Sequence, residues 1–255
     1  KMDWVKTVAV VVPSPATSDV LEATSRTIWA PMFSNLSSSS ISFATVTPSF
    51  VTVGEGAGSG SSCASLYADG VQSDGVYAVW PAGPEGPALD VTCDMTTYNG
   101  GWTRVFYHDV SGGLFADDTD ADLKNTEDPD ALLYSILGHL GHFERSTGFE
   151  FWLNWPGYTV YDNWWFQTSN PTLNTTVTGY QAEEINCALN TWNGLALSDS
   201  VHTYLDGSPE SGQWWHAVGI NELHNDGIPS CNNQIASQGA LWVRWKLVQV
   251  SQWPR

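Results

Sequence analysis

The largest stock of chemistry-bearing side chains in this sequence is aromatic: the 255 residues include 14 tryptophans, among them Trp152, Trp155, Trp164, Trp165, Trp192, Trp214 and Trp215. An indole face is electron-rich and takes the C–H face of a sugar, although several of these rings must simply fill a core. A second concentration is acidic, with Asp117, Asp118, Asp120, Asp122, Glu127, Asp128 and Asp130 set around Lys124. Acids at alternate positions suit a divalent cation, but the glycine and distal glutamate of an EF-hand loop are missing. The expected role is a solvated surface in which Asp128 and Asp130 serve the start of a helix. His139 and His142, with Glu144 behind them, are zinc-ligand types without the His-Glu-x-x-His arrangement, and satisfying carbonyls at a helix C-terminus is the expected role. No G-x-S-x-G motif, local triad signature or carboxylate pair marks the chain as an enzyme, so it is expected not to be one.

Composition narrows the partners. Nine Lys+Arg against 27 Asp+Glu give a net charge of −18, which repels nucleic acid and anionic membrane surfaces. With 42% hydrophobic and only 14% charged residues, the chain has the apolar material for a core. The longest apolar run, Val8 to Val12, stops at Pro13, far short of a membrane span. The start, Lys1-Met2-Asp3-Trp4, is not leader-like, so a removed signal peptide or a longer precursor is expected. Cys63, Cys93, Cys187 and Cys231 are even in number with no C-x-x-C pair, which favours disulfides over a zinc site. Sequons at Asn35 and Asn174 add to an extracellular expectation.

The elements that must position these residues fall into two parts. A Gly/Ser run over 54–62 reads as a linker and lacks the spacing of a phosphate-binding loop. Before it, residues 1–53 pattern as a small β-α-β unit: a strand at Thr7–Val12, a helix capped by Ser14-Pro15 and ended by Pro31, and an alternating strand at Ile41–Thr47. After it, residues 63–255 hold short strands at Gly75–Trp80, Leu89–Cys93, Trp102–Phe106, Phe149–Leu153 and Ala240–Leu247, separated by turn residues. Asp128-Pro129-Asp130 followed by a stripe through Leu140 predicts one helix. The fold class expected is α+β.

Cys63-Ala64-Ser65-Leu66, Asp74-Gly75-Val76-Tyr77, Val91-Thr92-Cys93-Asp94-Met95 and Gly100-Gly101-Trp102-Thr103 stand in one order at close spacing. This resembles the opening of a fibrinogen-like C-terminal domain of the lectin-like and matrix branch. Weaker resemblances, including Leu133–Leu137, Trp165–Pro171, Trp214-Trp215, Gly227-Ile228-Pro229 and Leu241–Arg244, extend it over about residues 61 to 250. The resemblance implies short twisted antiparallel sheets with few helices and a Cys63–Cys93 disulfide. That leaves Cys187 and Cys231 to each other, although four cysteines allow three connectivities and spacing does not choose. It further implies a calcium site ahead of Trp214-Trp215, where Asp206 matches, Ser208 stands in place of the second acid, and Asp199 and Glu210 are the compensating acids. A ligand pocket is implied near Trp214, Trp215, His216, His224, Asn225 and Asp226. The implied function is non-catalytic extracellular recognition of glycan or protein within a larger surface or matrix protein, with Asp206 either a calcium ligand or a solvated acid in a Pro/Gly turn. The alternative is a structural subunit of an extracellular filament, in which the partner is another copy of the chain.

Overall fold

The computed structural model describes residues 60–244 apart from 145–147, 159, 190, 210 and 212. The β-α-β expectation for 1–53, most of the linker, Asn35, Glu210 and the strand beyond Arg244 lie outside the described residues.

Among the described residues fourteen strands are formed, all pairing antiparallel. In chain order they are β1 (Gly75–Val79), β2 (Leu89–Asp94), β3 (Trp102–Asp109), β4 (Leu123–Lys124), β5 (Leu133–Ile136), β6 (Phe149–Asn154), β7 (Asp162–Gln167), β8 (Gln181–Ile185), β9 (Ala196–Leu197), β10 (Thr203–Asp206), β11 (Val218–Ile220), β12 (Ile228–Pro229), β13 (Ile235–Ala236) and β14 (Gln238–Arg244). The main sheet runs β1-β2-β3-β14-β6-β7-β8, with β5 on β3 and β4 on β5. A smaller sheet orders β11-β10-β9, and β12 pairs with β13. Among the described residues there are two short α-helices, α1 (Cys63–Ala68) and α2 (Asp118–Asp122), and several 3-10 turns. Few helices beside antiparallel sheets is the architecture expected from the sequence. No helix among the described residues is long and apolar enough to cross a membrane.

Period-two alternation explains why β14 can sit at the centre of the sheet. Leu241 and Val243 go to the main core with Phe149, Phe151 and Leu153 of β6 and Trp165 of β7, whereas Ala240, Trp242, Trp152 and Trp102 form a second cluster. The second cluster is an aromatic and cationic ladder. Trp152 stacks on Trp242 with centroids 5.3 Å apart, and the Arg244 guanidinium lies 4.1 Å from the Trp102 ring and 5.3 Å from Trp164. Buried Glu150 receives Arg244 at 2.8 Å and the Trp164 indole N–H at 2.9 Å. Arg244 Nη1 also donates to the carbonyls of Tyr98 and Gly100 at 2.6 and 2.9 Å, tying β14 to the turn that opens β3. In that turn Asn99, Gly100 and Gly101 all have positive φ, and a Cβ on Gly100 would meet the Met95 carbonyl, so glycine is required there.

The predicted helix after Asp128 is not formed. Residues 133–136 are strand β5 and 137–143 a 3-10 helix. Leu133, Tyr134, Ser135 and Ile136 are buried without alternation, because β3 and β4 pair on both edges of β5 and both of its faces are covered. A continuous apolar run of this kind fits a buried strand as well as a helix, and pairing decides between them. Conversely α1, absent from the sequence reading, is fixed by a capping box in which Ser62 and Ser65 exchange hydrogen bonds.

Candidate functional site

The segment between β10 and β11 is folded around one hydroxyl. Ser208, fully buried, places Oγ 3.0 Å from Asp206 Oδ1 and 2.8 Å from the Gln213 carbonyl, and accepts the Trp215 N–H at 3.2 Å. Its own N–H donates to Asp206 Oδ1 at 2.7 Å. This knot ties Asp206, Ser208, Gln213 and Trp215 together, and Trp214 and Trp215 beside it are half-buried.

Two imidazoles complete the surface. His202, at the foot of β10, lies 5.3 Å from the Trp214 ring at 35°, and His224 meets Trp214 and Trp215 edge-on at 5.8 and 5.7 Å. His202 Nδ1 pairs with Glu222 Oε2 at 2.7 Å, and antiparallel pairing of β10 with β11 is what brings residues 202 and 222 together. Asn225 and Asp226, both exposed and both at positive φ, are the central residues of a tight turn closed by reciprocal His224–Gly227 backbone bonds. The structure therefore gathers Trp214, Trp215 and His224, sets Asn225 and Asp226 beside them, and adds His202 and Glu222. No local motif signals His202, because its place depends on a cross-strand pairing.

His216 is a correction. It was expected on this surface, but positive φ turns it inward, where it is fully buried against Trp155 and Trp192 at 5.7 and 5.1 Å. Its Nε2 bonds the Leu189 carbonyl at 3.0 Å, and burial pulls its pKa down to about 4. Asp206 is displaced oppositely: burial raises its pKa to about 6, with Asp199 adding to the rise and Ser208 opposing it.

The calcium set fits its ion poorly. Calcium takes six to eight oxygens, yet Asp206 Oδ1 and the Ser208 hydroxyl are engaged with each other and with the loop backbone. Asp199 is exposed, and Glu210 lies outside the described residues. Among the described residues no group of three or more His, Cys, Asp or Glu side chains is placed to hold a metal. The acidic stretch serves structure: Asp117 caps α2, Asp120 pairs with Lys124 at 2.6 Å, and Asp122 accepts the Tyr204 hydroxyl at 2.7 Å. Asp128 accepts the Asp130 N–H in a turn, where the sequence suggested a helix start. His139 and His142 lie 6.2 Å apart on the 3-10 helix. Asn174 is exposed, its amide donating to the Asn170 carbonyl.

The opposed shifts of Asp206 and His216 give a pH signature. Asp206 has its folded pKa raised, so its contribution is full below about 4 and is lost as pH rises through about 6. His216 has its folded pKa lowered, so its contribution is full above about 6.5 and is lost as pH falls through about 4. Each is worth on the order of 3 kcal/mol. Relative to the wild-type slope between pH 7 and about 4.5, urea unfolding of Asp206→Asn is expected to show greater loss on acidification, and His216→Gln less. Identical slopes in all three proteins would contradict the burial of both groups.

As the resemblance implied, a disulfide joins Cys63 at the start of α1 to Cys93 in β2, and Cys187 pairs with Cys231. No family model matches the chain. Over 52 residues it is 50% identical to human microfibril-associated glycoprotein 4, a match covering 20% of each chain. Over 53 residues it is 47% identical to fibrinogen C domain-containing protein 1 of Xenopus tropicalis, covering 20% of this chain and 11% of that protein. Over this stretch the chain is similar to fibrinogen C domain proteins. The match spans a fifth or less of the length of these curated relatives. The fibrinogen-like globe domains of human ANGPTL6 and ANGPTL2 align with TM-scores of 0.49 and 0.47 at 14% and 13% identity, over 74% and 72% of this chain and 97% and 98% of theirs.

Proposed function

We propose that this fibrinogen-like domain is a non-catalytic extracellular recognition module that binds its glycan or protein ligand on the Trp214–Trp215–His224–His202 surface. The observation that carries the reading is Trp214, half-buried beside the Ser208 knot, with the His202 and His224 imidazoles packed against its ring. A rigid, partly exposed aromatic fixed by buried hydrogen bonds offers contact area at small entropic cost. Two disulfides suit an oxidising compartment, and the matrix-related names of the curated relatives support an extracellular setting within a larger protein. Asp206 Oδ1 and Ser208 Oγ are engaged within the loop, so binding without calcium is the expectation.

A second reading, a structural subunit of an extracellular assembly, is favoured by β8, which ends the main sheet with its side chains exposed. An array of glycans and matrix proteins, probed with the domain with and without EDTA, separates them. Ligands captured in both conditions are expected. Empty arrays together with concentration-dependent self-association would replace recognition by assembly.

A further inference from the structure

We propose that His139 and His142 form a surface site for a late first-row divalent cation, Cu(II) before the others, held by the two imidazoles and completed by water. The 3-10 helix that carries them, Leu137–Phe143, sets the geometry. Three residues per turn and a rise of about 2.0 Å per residue place side chains i and i+3 one above the other, about 6 Å apart. The two rings obey this, with centroids 6.2 Å apart and planes 30° from parallel. Nitrogens bound to one ion at about 2.0 Å each lie no more than about 4 Å apart, an approach made by rotating the side chain of His142, which is exposed. Among the described residues no helix carbonyl takes either imidazole N–H, the role expected from the sequence.

The surroundings favour a cation. Helix α2 packs against the 3-10 helix, and from its cap onward it carries Asp117, Asp118, Asp120 and Asp122, of which Lys124 answers Asp120 at 2.6 Å. Gly138 allows the close approach: a Cβ there would stand 2.6 Å from Asp122 Oδ2 and 3.0 Å from Leu123 Cγ. Asp122 Oδ1 accepts the Tyr204 hydroxyl at 2.7 Å, which fixes the carboxylate with Oδ2 beside the residue preceding His139. Acids so placed raise the local concentration of cations, and the imidazoles decide which cation stays. Two nitrogens with water oxygens suit the tetragonal coordination of Cu(II), which stands at the top of the divalent first-row affinity order, whereas calcium asks for oxygen ligands throughout. The acidic stretch that matches no calcium loop thus supplies the field, and the histidine pair supplies the ligands.

The test titrates Cu(II) into the protein with free glycine as a weak competitor, so that single histidines do not retain the ion, and reads affinity by calorimetry and ligands by EPR. Wild-type protein is expected to bind one equivalent, with nitrogen couplings from two imidazoles. His142→Asn, at an exposed position, is expected to weaken Cu(II) by about tenfold or more and to leave a single coupled imidazole. His139→Asn should do the same, and if that half-buried variant fails to fold, His142→Asn decides alone. Asp122→Asn, which keeps an acceptor for Tyr204, is expected to weaken Cu(II) several-fold while both couplings remain. No binding under competition overturns the site. Wild-type affinity in His142→Asn overturns it as well, by placing the ion on other histidines. Calcium bound with equal affinity by wild type and His142→Asn, in place of copper, would make the carboxylates alone the site and the imidazoles bystanders.

Discussion

Replacing Arg244 by methionine is expected to destabilise the domain by about 3 to 5 kcal/mol, since it removes one partner of a buried ion pair and leaves the other charge uncompensated. Glu150 is 3% exposed and would keep only the Trp164 indole N–H, while the carbonyls of Tyr98 and Gly100 lose their donor. The loss also empties the space between Trp102 and Trp164 that the guanidinium fills. Urea unfolding measures it directly, and a fall in Tm of about 10 °C should accompany it at this size. Glu150→Leu combined with Arg244→Met is expected to recover much of the deficit, because well-packed apolar replacements substitute for buried ion pairs. Wild-type stability in the single variant would place the guanidinium in water and dissolve the ladder.

Converting both Cys187 and Cys231 to serine should cost about 4 kcal/mol in the chain-entropy account, since the bond closes a segment with a sequence separation of 44. The effect reaches the ligand surface. That segment contains β10, β11, the Ser208 knot and both imidazoles that contact Trp214. Thermal unfolding is expected to show the lower stability, and the variant should bind array ligands more weakly even at temperatures where it remains folded. Retained affinity with lowered Tm would mean that Ser208 alone holds the loop.

The parts of the fold legible in the sequence are those fixed by local chemistry. Strands β1, β2, β3, β6 and β14 are short runs rich in apolar, β-branched and aromatic residues, and the Asn99-Gly100-Gly101 turn needs the positive φ it adopts. Strand β5 was misread because its pattern carries no period once both faces are buried. The two- and three-residue strands β9, β11, β12 and β13 are too short to show one. At the candidate site, Trp214, Trp215 and His224 were legible as chemistry and by family resemblance. His202 and Glu222 were not, since only pairing between β10 and β11 joins them to Trp214. His216 misled because it is adjacent in sequence to the exposed pair, and a single positive φ reverses its direction.

The recognition assignment is tested most directly by titrating the strongest array ligand against wild-type protein and against Trp214→Ala, with Trp164→Phe on the ladder face as control. The expected result is an affinity loss of about tenfold or more for Trp214→Ala at unchanged thermal stability, with the control binding as wild type. Equal affinities for wild type and Trp214→Ala, or a loss confined to Trp164→Phe, would contradict it.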